Sequence, residues 1–383
     1  MKNLFEIFYR FFLLGLVSFG GPVAHIAYFR KAFVDKLKWI EEAEFSKIVA
    51  LCQFLPGPAS SQVGFTIGLK KGGILGALLA FIAFTLPSFL ILYFLWYFGV
   101  FQNQNEYVKS IIYALKLFAV VVVIDAVFGM FKSFCKDKIT IFIFVIASVL
   151  LIFFSSIFNQ ILVLVLCAIL GFLFIENEIK SKEKIIYPNF FILIFFVILL
   201  FIAYIFEFKN EILNLFFSFY KSGSLVFGGG HVVLPLLQES LQNQITNDTF
   251  LVAYSLAQTI PGPMFTIATY LGADILNESP FWGALIATFG IFFGGFLLIL
   301  SFHKSFDSFS KNAKLIGIIT SINASVVAFL FATLCNTIIP NAVHNLFDIF
   351  LVIVGFIAIR YFKINMFYVI LLFNFIFVIG NLF

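Results

Sequence analysis

Charged residues are scarce in this sequence: Asp, Glu, Lys and Arg together make up 11% of its 383 residues, whereas 62% are hydrophobic. Soluble globular domains carry about 25% charged residues and 45–50% apolar residues. The composition therefore excludes a soluble globular protein and predicts an integral membrane protein. The net charge of +5 does not indicate a nucleic-acid partner, because the lysines lie in short loops between apolar spans, where they set the membrane topology.

Sequence signatures of metal sites, of ATP hydrolysis and of covalent catalysis are also missing. The four cysteines, Cys52, Cys135, Cys167 and Cys335, stand singly, which indicates neither disulfides nor a zinc site. There is no G-x-x-x-x-G-K-[ST] loop, so a secondary transporter or a channel remains. Neither H-E-x-x-H nor G-x-S-x-G occurs, which leaves a membrane-embedded lipid enzyme as a remote alternative. We expect no cofactor, no metal and no enzymatic activity.

A glycine between two prolines occurs twice inside apolar segments. Residues 53–58 read Gln-Phe-Leu-Pro-Gly-Pro, and residues 258–263 read Gln-Thr-Ile-Pro-Gly-Pro. A helix cannot continue through such a pair, but the second proline is well suited to begin a new helix. A broken helix at membrane depth is tolerated where it faces protein or a watery cavity. A simple proline kink would explain one copy, whereas two copies at matched positions favour a functional site.

The two copies belong to an internal repeat. The motif Phe-Gly-Gly at 19–21 returns at 227–229 with an offset of 208, and the Pro-Gly-Pro copies match with an offset of 205. Each repeat holds six apolar elements, and a further span at 188–206 links them. We therefore predict a first repeat at 1–180, a linker with a connecting transmembrane helix at 181–210, and a second repeat at 211–383.

The distribution of basic residues indicates that the second repeat is inverted. The loop at 30–47 carries five Lys or Arg residues, whereas its counterpart at 239–248 carries none. The positive-inside rule places the first loop and the N-terminus in the cytoplasm and the second loop outside. The predicted fold is an all-α protein of the cell (inner) membrane with two inverted-topology repeats.

The same rule favours re-entrant hairpins over thirteen full crossings. Segment 46–69 lies between two basic stretches, 30–47 and Lys70-Lys71, which both prefer the cytoplasmic side. A hairpin that turns at Pro-Gly-Pro satisfies both. We expect such hairpins at 4–30, 46–69, 212–238 and 250–273.

Several motifs together resemble the chromate ion transporter family. They are Phe-Gly-Gly-Pro at 19–22, Pro-Gly-Pro after Gln53, and Phe-Gly-Gly-Gly-His at 227–231 with Pro235, in a chain of two-domain length. The resemblance implies a secondary transporter that expels chromate by using ion gradients. One departure is Gly230, which stands where the first repeat has Pro22. Transport of sulfate or another inorganic anion, inward or through a channel, is the alternative, and a homodimer stays open.

The residues around each break suit an oxyanion, because helix N-termini present free amides and a positive dipole end. After the first break come the amides of residues 59–61, with Gln62 nearby, and after the second those of residues 264–266. The glycine runs would let the backbone approach a ligand closely, although they are also compatible with ordinary packing. The expected substrate-binding residues are Gly20, Gly21, Gln53, Pro56, Gly57, Pro58, Ser60, Ser61, Lys116, Gly228, Gly229, Gln258, Pro261, Gly262, Pro263, Thr266 and Asn323.

Three ionisable residues inside the apolar spans also draw attention. Lys116 matches Asn323 at an offset of 207, so it would supply one net positive charge for attracting an anion. Snorkelling to the interface or pairing with Asp125 is the alternative. His25 and His231 follow the glycine motifs and titrate near physiological pH, so they are candidates for proton coupling. Simple polar contacts would equally explain both histidines.

Overall fold

The computed structural model describes residues 2–19, 21–99, 105–154, 157–174, 187–206, 208–227, 230–241, 243–305 and 313–380. These residues are largely helical, and none of them lies in a strand. Within the described residues, four helical segments are long and apolar enough to cross a membrane: Ala59–Tyr97, Glu106–Phe134, Pro280–Phe302 and Ile316–Ala342. The expectation of an all-α membrane protein is confirmed.

The first half consists of seven helices, of which the fourth is interrupted. Gly72 and Gly73 have non-helical backbone angles, with φ +64° at Gly73. They divide α4 into α4a (59–71) and α4b (74–97). The helices are α1 (Lys2–Val17), α2 (Gly21–Phe29, continued by a π-helix at Arg30–Lys36), α3 (Glu42–Phe54), α4 (Ala59–Tyr97), α5 (Glu106–Phe134), α6 (Lys138–Phe153) and α7 (Ile157–Phe174).

The second half follows a linking helix, α8 (Phe190–Ile205), and repeats the same order. Its first four helices are short and match α1, α2, α3 and α4a. Its two long helices match α4b and α5. The helices are α9 (Glu211–Ser224), α10 (Val233–Leu241), α11 (Asn247–Thr259), α12 (Ile267–Ile275), α13 (Pro280–Phe302), α14 (Ala313–Thr333, continued helically to Ala342), α15 (Leu346–Arg360) and α16 (Met366–Gly380).

Polar caps mark where many of these helices begin. A capping side chain accepts a hydrogen bond from an amide of the first turn, which would otherwise lack an acceptor. Asp137 and Asn345 form capping boxes with Thr140 and Asp348. The other side-chain caps are Asn105, Asn189, Asn210 and Thr246.

The chain turns back on itself within the short helices of the first half. Glu44 on α3 contacts Lys70 at the end of α4a, and Cys52 Sγ lies 4.0 Å from Thr66 Oγ1. The ring of Phe11 on α1 stacks on that of Phe33, with centroids 4.7 Å apart. Both segments therefore turn back on themselves, and re-entry of 4–30 and 46–69 into the membrane stays a prediction.

The basic loop between α2 and α3 lies beside the end of the α3–α4a hairpin. Arg30 Nε donates to Glu42 Oε1 at 2.9 Å, and this hydrogen bond holds the pKa of the Glu42 carboxyl below its usual range. The Lys71 ammonium sits over the Trp39 ring, 4.8 Å from its centroid. The loop at 30–47 and Lys70-Lys71 thus share one face of the molecule.

Candidate functional site: two crossed helix breaks

Both Pro-Gly-Pro motifs break a helix where the sequence predicts it. α3 ends at Phe54 and α4a begins at Ala59, directly after Pro58. In the second half, α11 ends at Thr259 and a helical turn begins at Met264, directly after Pro263. The glycines between the prolines adopt φ +126° at Gly57 and +109° at Gly262. L-residues rarely adopt such angles, so these positions require glycine.

Each break is bound to the other repeat. The Gly57 amide donates to the Val226 carbonyl at 2.7 Å, and the Gly262 amide donates to the Ser18 carbonyl at 2.9 Å. Ser18 and Val226 occupy equivalent positions, directly before the two Phe-Gly-Gly motifs. The two hydrogen bonds are therefore reciprocal, and they bring all four broken segments together.

The packing of the two glycines is reciprocal as well, because each glycine contacts a helix of the other repeat. A Cβ atom at Gly57 would lie 3.0 Å from Gly295 Cα on α13, and one at Gly262 would lie 2.9 Å from Ser88 Cβ on α4b. Ser88 and Gly295 are equivalent at an offset of 207. Each break thus lies against the long helix of the other repeat, at a distance that only glycine permits.

Gln62 holds the first break in place. Its side chain is fully buried, and its Nε2 donates to the carbonyls of Pro56 and Gly295, both at 3.0 Å. One amide therefore ties the break to α13. The equivalent position in the second half is Ile267, which offers no such bond.

Polar atoms next to the first break lack partners in the described part of the chain. Ser61 Oγ and Gln62 Oε1 are buried without a hydrogen bond. The first amides of α4a have no acceptor within the helix, because no turn precedes them. The start of α4a therefore offers unused donors.

His25 joins α2 to this same helix start. The residue is 1% exposed, its Nδ1 lies 3.3 Å from Ser60 Oγ, and its ring meets Phe84 edge-on. The other ring nitrogen, Nε2, is buried without a partner among the described residues. The structure thus places His25, Ser60 and Ser61 at one helix N-terminus.

Around the second break the polar residues bond to one another instead. His231 Nδ1 lies 2.9 Å from the Tyr254 hydroxyl and 3.4 Å from Gln258 Nε2. Gln258 also contacts the sulfur of Met264, and the Thr266 hydroxyl donates to the Pro263 carbonyl at 2.6 Å. The two breaks therefore share a backbone path but differ in the donors they leave free.

Other expected site residues lie elsewhere. The backbone at Gly21 starts α2 with φ +77°, whereas Gly20, Gly228 and Gly229 lie outside the described residues. Gln53 is exposed, while Asn323 Oδ1 is buried on α14 without a partner among the described residues.

Lys116 is bound at a distance from the breaks. Its Nζ donates to Asp248 Oδ1 at 2.7 Å, at the start of α11. Eleven helical residues separate Asp248 from the end of α11, which is roughly 16 Å. Pairing of Lys116 with Asp125, left open by the sequence, is wrong: Asp125 pairs with Arg360 at 3.4 Å.

Sequence reasoning missed four contributors to the site: Ser18, Val226, Ser88 and Gly295. Ser88 and Gly295 are small residues at equivalent positions of the repeat, which is a signal that aligning the two halves could have found. Ser18 contributes only its backbone carbonyl, so its side chain carries no signal.

Broken helices that meet between two repeats are a recurring architecture of membrane transporters. The chain belongs to the chromate transporter family, whose model matches residues 5–172 and again residues 213–379.

Relatives over most of the chain agree with this assignment. An uncharacterised transporter of Methanocaldococcus jannaschii is 30% identical over 338 residues, covering 85% of this chain and 82% of the relative. A chromate transport protein of Pseudomonas aeruginosa is 25% identical, covering 86% and 79%. A probable chromate transport protein of Synechococcus elongatus is 26% identical, covering 94% and 88%. No solved structure matches the chain.

Proposed function

We propose that the protein is a secondary transporter that exports chromate and that it binds the anion at the first break. Membership of the chromate transporter family supports the substrate. One observation supports the place: Ser61 Oγ and His25 Nε2 are buried beside the N-terminus of α4a, and neither has a hydrogen-bond partner among the residues that the structure describes. Leaving a buried polar group unpaired costs about 1–3 kcal/mol, which a bound ligand or water would offset.

The donor set fits a tetrahedral dianion. The amides of residues 59–61, the Ser61 hydroxyl and a protonated His25 Nε2 all donate, whereas chromate only accepts. The N-terminus of a helix carries a positive partial charge of about half a unit. Such dipoles attract the anion without a fixed ammonium group, so the anion can also leave. Lys116 supports this view, because its charge is already paired with Asp248.

The second break serves a different purpose in this proposal. Its side chains satisfy one another, with His231 against Tyr254 and Thr266 against Pro263. The backbone of the second break forms part of the proposed binding site and holds the first break in its geometry. Direct contacts of the anion with Asn323, Gln53 and the glycine motifs stay predictions, whereas this proposal pairs Lys116 with Asp248 and not with the anion.

The proposed direction follows from charge. Moving one charge through 100 mV is worth about 2.3 kcal/mol, so an outgoing dianion gains about 4–5 kcal/mol from an inside-negative potential. Export therefore needs no coupled cation, whereas import of sulfate would. The N-terminus lies in the cytoplasm in this proposal, as the basic loop at 30–47 predicts.

Uptake of radiolabelled chromate into everted membrane vesicles tests the function. Vesicles with and without the protein are compared under an imposed potential of either sign, with sulfate as competitor. We expect potential-driven accumulation that sulfate reduces. Accumulation of labelled sulfate but not of chromate would assign the alternative substrate, and no accumulation of either would refute an oxyanion exporter.

A serine pair tests the place of binding. Ser61→Ala removes a buried, unpartnered hydroxyl, and Ser133→Ala removes an exposed hydroxyl that donates to the Gly129 carbonyl at 2.9 Å. We expect Ser61→Ala to raise the KM for chromate at least about tenfold, since one hydrogen bond to a charged group contributes about 1.5–3 kcal/mol. Ser133→Ala should leave the KM unchanged. An unchanged KM in Ser61→Ala would move the site elsewhere.

A further inference from the structure

A cavity opens along the α3–α4a hairpin, and its lining ends at Leu51 and Thr66 on the side of the first break. It has a volume of about 490 Å³ and lies between the α3–α4a hairpin and the end of α13, with Ala43, Thr66, Leu69 and His303 in its lining. Its mouth lies on the face that carries Glu41 and Lys70, which the charge distribution predicts to be cytoplasmic.

The cavity leads towards the proposed anion site. Thr66, in its wall, donates its hydroxyl to the Gln62 carbonyl at 2.8 Å, one helical turn closer to the break. Its lining carries three lysines, Lys47, Lys70 and Lys304, against Glu41 and Glu44, of which Glu44 pairs with Lys70. The lining therefore has an excess of one positive charge, which favours the approach of an anion. The cavity thus extends from the face that carries Lys70 and Lys304 as far as Thr66, about two helical turns from the start of α4a.

The equivalent place in the other repeat is closed. Leu69 corresponds to Asp274 at an offset of 205, and His303 corresponds to Trp96 at an offset of 207. Trp96 Nε1 donates to Asp274 Oδ1 at 2.9 Å, which joins the end of α4b to the end of α12. The first hairpin (α3–α4a) leaves a cavity at this place. The second hairpin (α11–α12) is instead hydrogen-bonded to α4b.

Two further contacts join the second hairpin to a long helix. On the closed side, Ser255 Oγ donates to the Leu115 carbonyl at 2.6 Å, and Lys116 pairs with Asp248 at 2.7 Å. Both contacts fasten α11 to α5, so they hold the second hairpin against the long helix of the first repeat.

The residues that replace these partners in the other half cannot form such contacts. Ala50 and Ala43 stand on α3 where α11 has Ser255 and Asp248, and both alanines are exposed. Asn323, the counterpart of Lys116, is left with its Oδ1 unpartnered among the described residues. The first hairpin therefore lacks the two side-chain contacts that join the second hairpin to α5.

We propose that this cavity is the path by which an inorganic oxyanion reaches the first break from the cytoplasm, and that Trp96–Asp274 and Lys116–Asp248 close the corresponding path from outside. The proposal rests on the proposed function for its ligand. Inverted repeats can exchange their conformations, which opens one side as the other closes. The structure is accordingly the inward-open state, and its opposite requires the Trp96–Asp274 hydrogen bond to break.

Thiol labelling tests the path without any transport assay. In a protein whose four cysteines are replaced by alanine, Thr66→Cys and its repeat equivalent Leu271→Cys are labelled with a charged, membrane-impermeant methanethiosulfonate. Everted vesicles expose the predicted cytoplasmic face, and right-side-out vesicles expose the other. We expect Thr66→Cys to react from the cytoplasmic side at least about tenfold faster than Leu271→Cys reacts from outside. Equal rates, or no reaction at Thr66→Cys, would overturn the proposal.

A second variant tests the closure. Trp96→Phe removes the Nε1 donor but keeps an aromatic ring, whereas Trp282→Phe, the matched control, changes a largely exposed tryptophan on α13. Trp96→Phe should raise external labelling of Leu271→Cys at least about fivefold, and Trp282→Phe should not. Unchanged labelling in Trp96→Phe would refute its role. Monodisperse elution in detergent shows that each variant is folded.

Chromate separates this proposal from the proposed function. Chromate that slows labelling of Thr66→Cys supports both. The expected labelling pattern without any effect of chromate or sulfate would retain the path and refute the oxyanion ligand. Chromate uptake without the labelling pattern would retain the function and refute the path.

Discussion

The Gly57 amide is hydrogen-bonded to the Val226 carbonyl, and its repeat equivalent, the Gly262 amide, is bonded to the Ser18 carbonyl. Neither repeat therefore completes its own break. Each repeat supplies the carbonyl that accepts the hydrogen bond from the break of the other repeat. A change at one break therefore affects the structure of both repeats. A transporter whose two hairpins open alternately needs such a connection, because the opening of one must be linked to the closing of the other.

The two break glycines give the first prediction. Gly57→Ala and Gly262→Ala each force a Cβ into a backbone with φ above +100° and into contact with the opposite long helix. We expect each to destabilise the protein by about 1–3 kcal/mol and to slow transport. Gly129→Ala is the control, since its Cβ would meet only Arg360 Nη1 at 3.8 Å. Thermal unfolding in detergent measures the difference, and equal melting temperatures for all three would contradict it.

Gln62 gives the second prediction. Gln62→Leu removes the donor shared by the Pro56 and Gly295 carbonyls, while keeping the side chain's bulk. Because two buried carbonyls then lose their partner, we expect a loss of about 1–3 kcal/mol in stability and at least tenfold in transport rate. Gln244→Leu, in the loop before α11, should change neither. Normal transport by Gln62→Leu would show that the first break holds without this amide.

The sequence was enough to locate both helix breaks. Prolines and glycine act locally, so their effect on a helix can be predicted from a few residues, as at Pro56 and Pro58. The crossed hydrogen bonds could not be predicted, because a repeat offset tells which positions are alike and not which positions touch. Replacement of Gln62 by Ile267 is visible in the sequence, but its partner Gly295 is set by packing between the repeats.

Lys116 shows the same limit for charges. On one helix, Asp125 was the nearest acid in sequence, and nine residues place it on another part of the helix surface. The actual partner, Asp248, belongs to the other repeat and reaches Lys116 because α11 packs on α5. Long-range pairs of this kind follow from tertiary packing alone.

His25 gives the third prediction. A dianion bound near Nε2 favours a protonated imidazole, so substrate and proton should bind together. We expect chromate KM in the wild type to rise as pH increases from about 5.5 to 7.5. His25→Gln should remove most of this dependence, whereas His344→Gln, in the loop before α15, should retain it. If the KM of His25→Gln depends on pH as it does in the wild type, His25 does not couple chromate binding to protons.

The pair of Lys116 and Asp248 gives the fourth prediction. Lys116 has a side chain only 11% exposed, so Asp248→Asn leaves a buried ammonium unpaired. We expect a loss of about 1–2 kcal/mol, reduced from the buried-pair range because Asp248 is 61% exposed. Glu106→Gln, in an exposed pair with Lys109 at 3.9 Å, should change stability by less than about 0.5 kcal/mol.

The exchanged pair, Lys116→Asp with Asp248→Lys, decides what Lys116 does. If the pair closes the outer path, the exchange restores stability and transport, because an ion pair still joins α5 to α11. If Lys116 itself attracts the anion, as its position in the sequence predicts, the exchange restores stability but not the KM for chromate, since the charge has moved to the other helix. Stability and KM measured on the two single variants and the exchanged pair therefore separate a closing contact from an attracting charge, and we expect both to recover.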